Sequence, residues 1–191
     1  MWTRELLGTD VYHIVQWFLM YSLLGWFVES VYMSFCNRKV TNRGFMFSPF
    51  CPIYGFGAVI GYFLLRPLAT DYIKLYFAGA ILATMFEFFV AKLMQRLFGE
   101  VWWDYNDKPL NYKGILCAES SVAWGFYAIF LFAFVHKFVD GVVNRFDYER
   151  GLMVCRGMLI VLLIDFVYHF LRAIDFDFVE TRDMLLRRRR T

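Results

Sequence analysis

Five long apolar segments constrain this chain most, because each can cross a lipid bilayer as a helix. A transmembrane helix needs about 20 mainly apolar residues, with a range of about 17–25. The segments lie at about 11–35, 49–68, 74–94, 119–138 and 151–172 of the 191 residues. Apolar residues make up 60% of the sequence, which argues against a soluble or a disordered chain. The sequence therefore predicts an all-α, polytopic transmembrane helical bundle of about five spans, as a single membrane domain over residues 1–191.

The loops between these segments differ in their content of lysine and arginine. Most of these cations fall in the loops after the first and third segments and after the fifth. Because positive charge concentrates on the cytoplasmic side, we expect a multi-pass protein of the cell membrane with its N-terminus outside and its C-terminus in the cytoplasm. Residues 173–191 form a basic tail that ends in Arg187 to Arg190. Such a tail is expected to bind anionic membrane lipids rather than nucleic acid.

Several ionisable side chains lie inside the predicted spans, and four of them are candidates for a functional site, namely Glu29, Glu87, Asp165 and His169. A charge at the bilayer centre costs about 2.5–3.5 kcal/mol on insertion scales, so such residues require a reason. One interpretation is a polar path for a substrate or an ion, with Glu29 and Glu87 sharing one site. The alternative is interhelical hydrogen bonding that only fixes the packing. For Asp165 and His169, which are four residues apart on one helix face, the sequence favours neither.

Two connecting segments are too aromatic for ordinary solvated loops. Residues 41–57 combine aromatic side chains with glycine and proline, which forbid one continuous helix. Non-helical backbone at membrane depth must be covered by protein or line a cavity, so we predict a packed, part-inserted cytoplasmic loop. An interfacial aromatic belt is the alternative. Residues 99–118 repeat this pattern, and they are equally consistent with an interfacial anchor and with a ligand surface.

Signatures of soluble enzymes and metal sites are missing from the sequence. It contains neither a phosphate-binding GxxxxGK[ST] motif nor GxSxG or HExxH. The four cysteines show no CxxC spacing, and the three histidines are far apart in the chain. We therefore expect no metal, no cofactor and no ATPase activity on this chain, although an intramembrane enzyme stays open as an alternative.

Several motifs together resemble one bacterial membrane family, named Putative ABC-transporter type IV. The matching residues are Gly25-Trp26-x-x-Glu29, Asn42-Arg43-Gly44-Phe45, Pro49-x-Cys51-Pro52-Ile53-Tyr54-Gly55-x-Gly57, Glu87, Trp103-Asp104-Tyr105, Asn111 and Gly114. The resemblance covers about residues 15–135, and its most specific part is the CPIYG stretch. It implies a permease-like subunit that works as a homo- or hetero-oligomer with a separate cytoplasmic ATPase. Two residues depart from the family pattern. Ser48 stands where we expect glycine, and Asn106 stands where we expect serine.

These observations lead to a specific hypothesis, a permease-like protein whose substrate the sequence does not identify. The predicted substrate or ion path consists of Glu29, Glu87, Arg43, Tyr54, Trp26, Asp165 and His169. The predicted loop motif, with Arg43 and residues 44–57 as a lid over the path, consists of Asn42, Gly44, Pro49, Cys51, Pro52, Gly55, Gly57, Trp103, Asp104 and Asn111. A non-transporting membrane protein that binds lipid or a partner helix is the main alternative.

Overall fold

The computed structural model describes residues 2–42, 46–99, 101 and 103–173. The helices are α1 (Val11–Asn37), α2 (Pro52–Leu65), α3 (Tyr72–Phe98), α4 (Ala118–Phe130), α5 (His136–Val143) and α6 (Tyr148–Ala173). A 3-10 turn, Arg66–Leu68, follows α2, and a π-helical turn, Leu131–Val135, joins α4 to α5. Arg43, Gly44 and the basic tail from residue 174 onward lie outside the described residues.

The predicted all-α membrane bundle is confirmed. Within the described part of the chain, four helices are long and apolar enough to cross a membrane, namely Val11–Asn37, Tyr72–Phe98, Ala118–Val143 and Tyr148–Ala173. The second segment differs from the rest, because Pro52–Leu68 forms only a shorter apolar helix. Pro52 stands in the first turn of this helix, where proline needs no hydrogen-bond partner for its nitrogen. Its 17 residues span about 26 Å, less than the bilayer core of about 30 Å.

Glycine sets the distance between α1 and α2. A Cβ added to Gly25 of α1 would overlap the side chain of Tyr54, and one added to Gly55 of α2 would lie 2.7 Å from the Phe18 carbonyl oxygen. Both positions therefore exclude any larger residue, because the Tyr54 side chain packs on the backbone of Gly25, and the Ser22 side chain and the Phe18 carbonyl pack on the backbone of Gly55. This close contact places Tyr54 directly against α1.

The segment before α2 packs against α1 and α6. Met46 and Phe50 are buried, and they form a core cluster with Leu19, Cys155 and Leu162. The amide of Cys51 donates a hydrogen bond of 2.9 Å to the carbonyl of Ser22. Residues 46–51 thus form a packed loop through Met46 and Phe50, whereas the side chain of Phe47 is 70% exposed.

The opposite end of the bundle carries a small hairpin before α1. Strands β1 (Glu5–Leu6) and β2 (Thr9–Asp10) pair antiparallel through a turn at Leu7 and Gly8, which both have positive φ. Asp10 then caps α1 by accepting a hydrogen bond from the amide of His13 at 2.8 Å. The hairpin fixes the start of α1 beside the core cluster of Tyr12, Trp17, Tyr21, Val139 and Val143.

Candidate functional site

The carboxylate of Glu87 is the centre of the most developed polar cluster in the bundle. Glu87 is 7% exposed, and its Oε1 accepts a hydrogen bond of 3.0 Å from the Tyr105 hydroxyl. Its Oε2 accepts bonds from Trp124 Nε1 at 3.0 Å and from the Ser120 hydroxyl at 3.4 Å. All three donors are neutral, and no lysine or arginine among the described residues contacts this carboxylate. We call Glu87 with these three donors the Glu87 centre.

Helix register places the Glu87 centre deep in the bundle. Glu87 lies eleven positions before Phe98, the last residue of α3, which corresponds to about 16 Å along the helix. Helix α4 starts at the same depth, as shown by a hydrogen bond of 3.0 Å that Thr84 of α3 donates to Ser121 of α4. The sequence predicted that this span ends near residue 94, whereas α3 continues to Phe98.

A folded loop carries the Tyr105 hydroxyl down to Glu87. Asp104 accepts hydrogen bonds from the amide and the side chain of Asn106 at 2.9 and 2.7 Å. Asn111 donates to the carbonyl of Lys108 at 2.9 Å and accepts from the amide of Gly114 at 3.2 Å. Asp104 and Asn111 of the predicted loop motif thus hold the loop together through its own backbone, and they do not contact Glu87.

Gly114 and Trp103 complete this loop. The amide of Tyr105 donates to the Gly114 carbonyl at 2.9 Å, and Trp103 Nε1 donates to the Ile115 carbonyl at 3.0 Å. Gly114 has φ +67, and a Cβ there would lie 2.8 Å from the side-chain amide of Asn106. Glycine is therefore required, because the left-handed backbone and the close approach both exclude a larger residue. Residues 103–117 act as a rigid support for Tyr105.

Glu29 of α1 pairs with Tyr54 of α2. A side-chain hydrogen bond links Tyr54 to Glu29, and Tyr54 lies within electrostatic range of both Cys51 and Tyr105. Glu29 and Tyr54 thus form a polar pair between α1 and α2 in the neighbourhood of Tyr105. Of the residues predicted for the path, Glu29 and Tyr54 pair with each other, whereas the hydrogen bonds of Glu87 come from Tyr105, Ser120 and Trp124.

Burial and charge affect the Tyr105 phenol, which lies outside the spans. Burial is the larger cause of a raised pKa for Tyr105, and the negative charge of Glu87 adds to it. The phenol consequently stays protonated and remains a hydrogen-bond donor across the physiological pH range. The carboxylate is thus solvated by fixed dipoles, an arrangement that can hold a negative charge and attract a cation or a proton.

Asp165 and His169 lie in a different place and anchor the 46–51 loop. The amide of Ser48 donates to Asp165 Oδ2 at 2.6 Å, and His169 Nδ1 lies 3.0 Å from Asp165 Oδ1. The ring of Phe47 packs edge-on against the His169 ring with centroids 4.5 Å apart. The bond to Ser48 explains why an acid lies in this apolar helix, because the Asp165 carboxylate accepts a hydrogen bond from a backbone amide of the loop.

The other predicted residues surround the cluster without contacting Glu87. Trp26 Nε1 donates to the side chain of Asn42 at 2.6 Å and thereby ties the first part of the α1–α2 connection back to α1. Gly57 faces α3, since a Cβ there would lie 3.3 Å from the ring of Phe86. Pro49, Cys51, Pro52 and Gly55 belong to the packed loop and the start of α2 described above. Arg43 and Gly44 lie outside the described residues.

Sequence reasoning missed two parts of the polar structure. Ser120 and Trp124 were not candidates, although their spacing of four residues puts both on one face of α4. A second polar cluster at the hairpin end was also missed. The sequence signal for this cluster was the pair His136 and Asp140, which are four residues apart on one helix face. The predicted fourth span ended near residue 138, between these two residues, so the pair was overlooked.

Comparison with known proteins adds a family to this geometry. No curated protein and no solved structure matches the chain. A family model described as Putative ABC-transporter type IV matches residues 16–170. The match extends beyond the 15–135 range of the motifs, and it includes Asp165 and His169. Because it covers most of the 191 residues, this chain belongs to the Putative ABC-transporter type IV family of membrane proteins.

Proposed function

We propose that this chain is the membrane-spanning permease subunit of an ABC-type transporter, and that its solute passes the Glu87 centre. The observation that carries the proposal is a carboxylate deep in the bundle, held by three neutral donors from α4 and the 103–117 loop. A charged side chain inside a membrane bundle costs free energy, so a functional role is the default interpretation of such a residue. The family supports the transporter class, and Glu29 with Tyr54 extends the polar path toward α1.

In this proposal the chain itself hydrolyses no ATP and binds no cofactor. A separate ATPase subunit docks on the cytoplasmic side, where the 46–51 and 103–117 loops lie when the N-terminus is outside and the C-terminus is in the cytoplasm. One chain offers few helices to enclose a path, so the working unit is a homo- or hetero-oligomer in the cell membrane. Its basic tail rests on the anionic leaflet.

Affinity purification in a mild detergent tests the partner. We expect a nucleotide-binding subunit to co-purify with the tagged full-length chain from its native membranes. Recovery of the chain without any such subunit would contradict the proposed ATPase partner.

The role of Glu87 is tested in inside-out vesicles that contain the complex. Their solutes are compared by mass spectrometry with and without ATP, for wild type, Glu87→Gln and the control Glu119→Gln. Glutamine keeps the size of the side chain and a carbonyl acceptor but removes the charge, so we expect ATP-dependent solute accumulation to fall at least tenfold. Glu119 is exposed and pairs with Lys108 at 2.9 Å, so its variant should resemble wild type. Equal accumulation in all three would remove Glu87 from the path.

A groove beside α1 favours a second candidate function, which is lipid binding without transport. The groove has a volume of about 610 Å³, and its walls are mostly apolar. Its lining includes Trp26, Phe27, Val31, Phe35, Val40 and Asn42. In the same purification, a phospholipid retained by wild type and lost from Val31→Trp, without a nucleotide-binding subunit in either sample, would support this function instead.

A further inference from the structure

His136 lies in an aromatic site at the hairpin end of the bundle, far in sequence from the residues that it contacts. The Tyr21 hydroxyl lies 2.7 Å from His136 Nδ1. The Tyr62 ring stacks on the imidazole with centroids 3.9 Å apart and planes at 29°. The Trp17 ring approaches it edge-on at 4.8 Å and 78°. Three elements, α1, α2 and α5, therefore meet around one imidazole.

Asp140 supplies a negative charge one helical turn after His136. Its Oδ1 accepts from Trp17 Nε1 at 3.1 Å, and its Oδ2 accepts from Asn144 Nδ2 at 3.0 Å. The electrostatic influence of Asp140 reaches both His136 and Tyr21. An imidazolium at this position would lose hydration, because the ring is partly buried, but it would face a carboxylate and the face of a tyrosine ring, and both arrangements stabilise a cation.

The same network continues to the end of the bundle. Asn144 Oδ1 lies 3.2 Å from His13 Nε2, and His13 Nδ1 lies 2.7 Å from Asp10 Oδ1. The side chains of His13 and Asp10 are about a quarter and a third exposed. Water therefore has access to the outer part of a chain of polar groups that leads inward to Asp140.

A π-helical turn, Leu131–Val135, immediately precedes His136. Such turns are rare, and they are frequent at functional sites because they shift the register of all following side chains. Here the turn separates the face of α4 that contacts α3 from the face of α5 that contacts α1 and carries His136 and Asp140.

From this geometry we propose that His136 is a reversible proton-binding site, which exchanges protons with the membrane surface at the hairpin end. When the imidazole is neutral, Nδ1 accepts the hydrogen bond from Tyr21. A proton that adds to the Nδ1 lone pair forms an N–H bond, and Nδ1 then donates to the Tyr21 oxygen. The groups that face this proton are Tyr21 from α1, Tyr62 from α2 and Asp140 on its own helix, and His13 of α1 lies farther out, beyond Asn144. The site is separate from the Glu87 centre and does not depend on its role in transport.

Nuclear magnetic resonance of the full-length chain in detergent tests this site directly. The chain has three histidines, so ¹⁵N-labelled histidine gives few signals, and the variants His13→Gln and His169→Gln assign that of His136 by elimination. We expect the His136 nitrogens to titrate reversibly between about pH 5 and 8, the range in which imidazole changes its charge. A signal that stays neutral or stays charged across this range would overturn the proposal.

Two matched variants then identify the charge partner. Asp140→Asn removes the carboxylate, so the proton affinity of His136 should fall by about tenfold, as expected for the loss of one close opposite charge. Asp147→Asn is the control, because Asp147 lies near the same end on an exposed position and makes no side-chain contact with this network. Equal changes in both variants, or no change in either, would contradict the assigned role of Asp140. Tyr62→Leu gives a second test, since loss of the ring face should lower the proton affinity as well.

Discussion

Removal of the Asp165 carboxylate should release the 46–51 loop from α6. In the structure Asp165 Oδ2 accepts the Ser48 amide at 2.6 Å, and Oδ1 contacts His169 at 3.0 Å. Asp165→Ala deletes both contacts and leaves the Ser48 amide without its acceptor. Met46 and Phe50 on either side of Ser48 are buried, so water does not readily replace the lost carboxylate.

The expected cost follows from the kind of bond that is lost. A hydrogen bond to a charged group contributes about 1.5–3 kcal/mol, and a buried donor without a partner costs about 1–3 kcal/mol. These two figures describe the same event and are not added, so we expect a loss of about 2–3 kcal/mol for docking of the loop. At about 1.4 kcal/mol per factor of ten, the undocked population should rise about 30- to 150-fold.

Hydrogen–deuterium exchange measures this change at the loop. The Ser48 and Phe50 amides should exchange about 30- to 150-fold faster in Asp165→Ala than in wild type, and Asp165→Asn, which keeps one carbonyl acceptor, should fall between them. Asp107→Ala is the control, because Asp107 is exposed on another loop. Exchange within threefold of wild type in Asp165→Ala would refute the assignment of Asp165 as the anchor of this loop.

Further predictions concern the Glu87 centre and the α1–α2 contact. Tyr105→Phe removes a donor to Glu87 and should lower the unfolding free energy in detergent by about 1.5–3 kcal/mol, whereas Tyr112→Phe on the exposed side of the loop should be neutral within error. The pKa of Tyr105 is raised by burial, so its contribution to stability is complete below the unfolded-state pKa of about 10 and is lost as pH rises further. Alkaline unfolding of Tyr105→Phe should therefore depend less steeply on pH, and an equal slope would contradict this. Gly55→Ala should destabilise the bundle by about 2 kcal/mol or more, because its Cβ would overlap α1. Gly157→Ala, whose Cβ meets nothing within 4 Å, should stabilise or leave unchanged the unfolding midpoint, and the reverse order would contradict the close packing of α1 and α2.

Some parts of the sequence predicted the structure better than others. The apolar segments predicted the helices well, because the length and composition of a span depend on the bilayer rather than on the partner helices. For the aromatic, glycine- and proline-rich residues 41–57, the predicted packing is found at Met46 and Phe50, which are buried, but not at Phe47, which is 70% exposed. The second span was overestimated, because Pro52 starts α2 later than the apolar run begins.

The sequence by itself determined the class of the protein, the approximate position of its helices and the presence of acids in apolar surroundings. Only the tertiary structure decided which acids belong together. Glu29 pairs with Tyr54 of α2, Glu87 binds Tyr105, Ser120 and Trp124, and Asp165 on α6 binds the 46–51 loop. The physical reason is that helix periodicity orients a side chain on its own helix, but the partner of that side chain depends on the register between helices. Here that register follows from glycine contacts and loop hydrogen bonds between residues far apart in the chain.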